Sequence, residues 1–175
     1  MTRLTLGVAI AVPEPHGSIL REMRAAFGDP LAQTVPSHVT LLPPLDVAVD
    51  EMDEICAQLD KAAGAVPGFR MRLRGTGTFR PVSPVVFVAV HGGFMATEVL
   101  AGRLRHALGA PAAEFPFHPH VTVAHHLDDT ALDHADVVLR NFECSFDVEE
   151  FALYVHDHDA GWEPQRTFAL AARPA

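Results

Sequence analysis

The sequence predicts a duplicated α+β fold, and three observations carry that expectation. A four-residue phrase, His38-Val39-Thr40-Leu41, recurs as His120-Val121-Thr122-Val123, with 82 residues between corresponding histidines. Around each copy the hydrophobic pattern runs in one order: strand, helix, motif strand, helix, strand. At 175 residues, 49% of them hydrophobic, the chain can bury roughly 70% of its unfolded surface. The expectation is one domain over residues 1–175, with pseudo-symmetric lobes at about 1–82 and 83–175. Exchange of strands between the lobes is left open.

The first half opens on the apolar run 4–12, which alternates with Thr5 and Gly7 and stops at Pro13. A first strand explains it better than a signal peptide, since no second apolar segment follows. Residues 14–27 read as a helix with Ile19, Leu20, Met23 and Phe27 on one face, stopped by Gly28-Asp29-Pro30. The first motif then forms a short strand that Pro43-Pro44 ends. A second helix starts near Asp50 with Met52, Ile55, Cys56 and Leu59 inward. Phe69-Arg70-Met71-Arg72-Leu73-Arg74 alternates strictly, a strand with one wet face.

The second half repeats the order. Residues 85–90 are a strongly apolar strand, 94–108 a helix, and the second motif a strand. A helix over 129–139 follows, then strands over 142–148, 151–156 and 167–172. The junction near Pro81 and Pro84 is too short for a linker.

The net charge of −9 comes from acidic residues spread along the chain, and no basic stripe is present. That argues against an extended nucleic-acid surface while allowing a small anion in a local pocket. Arg70, Arg72 and Arg74 form the one local basic row, read as a solvated strand face. Cys56 and Cys144 lack metal-ligand spacing and read as free thiols in a reducing compartment. No stretch approaches the ~20 apolar residues of a membrane span, so a cytoplasmic location is expected.

Residues two apart on a strand share a face, so His38 with Thr40, and His120 with Thr122, point away from their apolar neighbours. A histidine moves a proton near neutral pH, and a hydroxyl can hydrogen-bond an oxyanion. One such strand is ordinary β-structure; two in register with a half-repeat make an acid–base site. His118 reads as orienting the strand entry, and at most one of His125 and His126 reaches the cleft without a bend. His156-Asp157-His158-Asp159, followed by Gly161, reads as a solvated turn rather than a metal cluster. Phe79, Phe115, Phe117 and Trp162 are read chiefly as core residues that can also present a stacking face to a base.

These motifs, with residues 4–13, Gly75-Thr76-Gly77-Thr78-Phe79-Arg80-Pro81 before the 85–90 strand, and Phe117-His118-Pro119-His120, resemble the 2H phosphoesterase superfamily. The likeness is to its 2′-5′ RNA ligase-like, cyclic phosphodiesterase branch. It implies a bilobal fold of two mainly antiparallel sheets with flanking helices around a central cleft. It also implies metal-independent hydrolysis of a 2′,3′-cyclic or 2′-5′-linked phosphate, with no cofactor. By motif position His38 and His120 are the catalytic pair and Thr40 and Thr122 the phosphate-binding hydroxyls, with His125, Phe79 and Phe117 as further substrate contacts. Relatives often carry an arginine after the second motif; here the stretch reads Val123-Ala124-His125-His126, which leaves phosphate binding to a histidine or to an arginine elsewhere.

The expected partner is a nucleotide or RNA terminus met by a monomer, with no membrane involved. Hydrolysis is expected over ligation, because no Gly-Lys-Ser/Thr phosphate loop is present. Two rivals use the same residues. One is a non-catalytic module binding nucleotides or RNA ends, and the other a metal-dependent hydrolase built on the histidines of residues 118–126.

Overall fold

A computed structural model describes residues 2–174. In chain order the elements are β1 (Arg3–Ala11), α1 (His16–Ala26), β2 (His38–Ala48), α2 (Met52–Ala63), β3 (Phe69–Thr78) and β4 (Val85–Gly92). There follow α3 (Phe94–Ala107), β5 (His120–His125), α4 (Asp129–Leu139), β6 (Glu143–Val148), β7 (Glu150–Asp157) and β8 (Gly161–Ala169). The strands make two four-stranded antiparallel sheets, ordered β2-β1-β7-β8 and β5-β4-β3-β6. This is the α+β architecture the patterning predicted.

The chain crosses between the sheets. β3 lies in the first half of the sequence but pairs with β4 and β6, while β7 and β8 return to β1. A bridge between Pro67 and Ala171 ties the crossing segments together. One contiguous apolar core runs under both sheets, from Leu6 and Val39 through Met71 and Leu73 to Val121 and Leu132. Burial that is shared in this way fixes the sheets relative to each other. Among the described residues, no helix is long and apolar enough to cross a membrane.

Three readings of the sequence need correction. Pro43-Pro44 does not end the first motif strand: β2 runs through both prolines to Ala48. β2 is an edge strand and both prolines are exposed, so their missing N–H groups leave no ladder bond unmade. Ile19 is 41% exposed, because the inward stripe of α1 is Gly17, Leu20 and Arg24. A Cβ on Gly17 would lie 2.4 Å from the Val12 carbonyl oxygen, so this glycine permits the close approach that sets the helix phase. The last strand begins at Gly161 rather than Thr167 and pairs with β7 along its length. Its residues Glu163 to Thr167 are exposed, which hides the alternation.

The acidic turn and the basic row fold as expected. Asp157 Oδ1 accepts from the backbone N–H groups of Asp159 (2.9 Å) and Ala160 (2.8 Å), closing the β7–β8 turn. Arg70 pairs with Asp147 at 3.2 Å, and Arg72 Nε donates to Glu143 at 2.8 Å, so β6 neutralises the wet face of β3. Cys56 and Cys144 are free.

Candidate active site

Both motif strands are edge strands of their sheets, and β2 packs against β5 across the interval between the lobes. His38, Thr40, His120 and Thr122 are half-buried, while Val39, Leu41, Val121 and Val123 are fully inside. The alternation read from the sequence therefore places each His/Thr pair on the strand face away from the buried apolar side chains.

The duplication extends to finer detail. His38 Nδ1 lies 2.7 Å from the Pro36 carbonyl oxygen, and His120 Nδ1 lies 2.6 Å from that of His118. A carbonyl only accepts, so each Nδ1 carries the hydrogen and each Nε2 is left for a ligand. Among the described residues neither Nε2 has a protein partner, nor does either threonine hydroxyl. Each motif strand also carries a bulge just past its threonine. Thr40 and Leu42 face Ala9 and Val8, with Leu41 extra; Thr122 and Ala124 face Phe87 and Val86, with Val123 extra. Such a step sends two successive residues to the core and shifts the following side chains by one face.

This bulge decides what His125 does. It returns His125 to the side of His120 and Thr122, paired with Val85. Simple alternation sends His126 the opposite way, but its φ of 53° bends the chain so that the two rings stack, 3.8 Å between centroids. His125 N–H donates to Asp29 Oδ2 at 3.1 Å. That carboxylate also receives Arg24 Nε at 2.7 Å and, on Oδ1, the Leu31 N–H at 3.0 Å.

Burial is the main influence holding His38 and His120 below the usual histidine range. The carbonyl bonds oppose it. The charge of Arg24 adds to the effect at His38, and those of His118 and His38 add to it at His120. His125 is lowered first by burial, then by the charges of His126 and Arg24, with Asp29 opposing. The resting cleft therefore holds neutral imidazoles near pH 7.

The two sides of the cleft differ. Beside His120, Phe79 and Phe87 pack on the imidazole at centroid distances of 4.9 and 5.1 Å, and His118 reaches both phenyl rings. Phe87 lies across Gly77, where a Cβ would come within 2.6 Å of its Cζ. Gly77 is thus required for this wall. Beside His38 there is instead a recess of about 140 Å³, lined by Gly7, Ala9, His38, Thr40, Tyr154 and Trp162 among others. Here Trp162 lies over Gly7. Phe117 does not join either group: it packs against the core and lines a groove along α3. Phe115 is exposed.

Sequence reading missed Arg24, Asp29, Phe87 and Tyr154. Arg24 carried a usable signal, since a charge on the apolar stripe of α1 is buried only with a partner. Among the described residues no three His, Cys, Asp or Glu side chains gather as a metal site.

Residues 12–160 match the model of the 2′-5′ RNA ligase superfamily. The chain belongs to that superfamily. Its members are 2H phosphoesterases, in keeping with the paired motifs. A curated relative from Bacillus cereus strain G9842, named "Putative phosphoesterase", is 27% identical over 150 residues, spanning 81% of this chain and 83% of its own. Escherichia coli LigT in apo form superposes with a TM-score of 0.68 at 22% identity, covering 98% of this chain and 99% of LigT. LigT complexed with 3′-AMP gives a TM-score of 0.65 at 21% identity, covering 97% and 99%. At these identities the likeness to LigT is one of fold.

Proposed function

We propose that this 2H phosphoesterase hydrolyses a 2′,3′-cyclic phosphate, or a 2′-5′ linkage, at a nucleotide or RNA terminus. The reading is supported by the matched pair of imidazoles, each locked by Nδ1–H to a carbonyl two residues back and each leaving Nε2 without a protein partner among the described residues, on edge strands that pack together.

The chemistry needs one ring neutral and the other protonated. The neutral Nε2 takes a proton from water as the water oxygen bonds to phosphorus. The P–O bond to one ribose oxygen breaks, and the protonated Nε2 gives that oxygen its proton. The rings exchange charge states and reset through solvent. Thr40 and Thr122 hydroxyls hydrogen-bond the non-bridging oxygens as negative charge grows. The anionic substrate raises the affinity of the resting neutral rings for the one proton needed. His125, returned to the cleft face by the bulge, is a further contact to the phosphate. Phe79 supports the reaction by holding the His120 ring.

The aromatic recess beside His38 suits the nucleoside better than the filled wall beside His120, because Tyr154 and Trp162 offer stacking surface there. A nucleotide ligand is in keeping with the 3′-AMP complex of LigT. Incubation with 2′,3′-cyclic nucleotides and short RNAs ending in a cyclic phosphate, in excess chelator, tests the reading. Chelator-resistant conversion to a monoester product is expected. Binding without turnover of any substrate would assign the cleft to recognition alone, and recovery only on adding a divalent ion would assign it to metal-dependent hydrolysis.

A further inference from the structure

A phosphodiester carries a full negative charge, and the transition state for opening it carries more. Two neutral imidazoles and two hydroxyls supply donors and proton transfer but no permanent charge. His125 supplies none either while it is neutral. The fold supplies one elsewhere. Arg24 is 5% exposed and Asp29 2%; among the described residues no other arginine, and no lysine, is buried.

The placement of Arg24 is specific. It leaves the inward stripe of α1 one turn after Leu20, and α1 packs on β5. Its Nε is held by Asp29, whose same oxygen receives the N–H of His125 at the end of the second-motif strand. The guanidinium is therefore fixed where the two lobes meet. Nε is its one partnered nitrogen among the described residues, and no fully buried side-chain nitrogen there lacks a partner, so each Nη keeps a small exposed area and no protein partner. The charge of Arg24 helps hold both His38 and His125 below the usual histidine range.

We propose that Arg24 is the phosphate-binding cation of this cleft, with Asp29 orienting it through Nε so that Nη1 and Nη2 meet non-bridging oxygens held by Thr40 and Thr122. This rests on the phosphoesterase reading above and assigns its anion site to a residue outside both motifs. A fork presented through its Nη pair suits a tetrahedral oxyanion, and a fixed guanidinium keeps its charge at every pH where the histidines titrate. An arginine held through Nε alone keeps both Nη groups available to an incoming oxyanion.

Calorimetric titration of the full chain with inorganic phosphate, alongside turnover of adenosine 2′,3′-cyclic phosphate, tests the assignment. Arg24→Gln is expected to weaken phosphate binding roughly 10- to 100-fold, the usual loss for a charged hydrogen bond. It should raise KM, while Arg24→Lys recovers part of the affinity. If wild type turns over the substrate and Arg24→Gln binds phosphate within twofold of it, the assignment to Arg24 falls and the enzymatic reading stands. If wild type neither binds phosphate nor turns over any cyclic substrate, both fall. Should Arg24→Gln not fold, the Arg24 Nε–Hε resonance of wild type, assigned by its loss in Arg24→Lys, decides the matter. A shift on saturation with phosphate is expected, and an unmoved resonance overturns the proposal.

Discussion

Replacing Asp29 by alanine is expected to cost more stability than any surface change in this protein. The carboxylate is 2% exposed and accepts from three donors: Arg24 Nε, the Leu31 N–H and the His125 N–H. Removing it strands a guanidinium that is itself 5% exposed. Breaking a buried ion pair from one side costs about 3–5 kcal/mol, and rehydration of the two backbone donors keeps the total from rising much further. Against a total stability of about 5–15 kcal/mol this is a large fraction. For a domain of this size each kcal/mol moves the melting point by about 2–4 °C, so a fall of ~6–20 °C is expected. Thermal melts followed by circular dichroism at pH 7.5 measure it. Asp147→Ala, which breaks only the exposed contacts to Arg70 and Arg173, should barely move the melt. The double variant Arg24→Met/Asp29→Asn should recover part of the loss, since the amide oxygen still accepts from a backbone N–H and no buried charge is left unpaired. An Asp29→Ala melt within 3 °C of wild type would refute the view that this pair clamps the lobes.

Two further outcomes follow from the same geometry. Because burial lowers both motif histidines below 6.5, protonation of the free enzyme's base and deprotonation of its acid both occur on the acid side of that value. The pH profile of kcat/KM should accordingly be bell-shaped with its maximum below pH 6.5, and a monotonic rise between pH 5 and 8, with chemistry rate-limiting, would count against paired acid–base work. Gly77→Ala places a Cβ 2.6 Å from Phe87 Cζ and should cost about 1–3 kcal/mol while loosening the wall of His120. Gly102→Ala, inside α3 with nothing within 4 Å, should instead stabilise by about 1 kcal/mol, so equal denaturation midpoints for the two variants would argue against that wall.

Much of the fold was legible because its strands keep strict periods. The runs at β1, β3 and β4 and both motif strands announced themselves by alternation or by continuous apolar residues. What escaped depends on how the sheets are assembled. Pro43-Pro44 reads as a stop unless the strand is known to lie at an edge, and edge position is set by partners far away in sequence. The step that returns His125 to the cleft depends on an extra residue opposite β4, which no local pattern announces. Arg24 is buried by the helix phase that Gly17 permits, and Asp29, read only as part of a helix stop, meets it from the turn that follows α1. Trp162 reached the His38 recess only because β8 returns to the first sheet. The motif residues were readable because the chain states them twice; the charge that serves them is stated once.

The two-histidine mechanism stands or falls on kcat/KM for a 2′,3′-cyclic nucleotide, measured in excess chelator for wild type, His38→Ala and His120→Ala. Each substitution removes one proton-transfer group and is expected to lower kcat/KM by ~10²–10⁴-fold, with the folded state retained by circular dichroism. Turnover within tenfold of wild type in either folded variant would contradict acid–base catalysis by this pair.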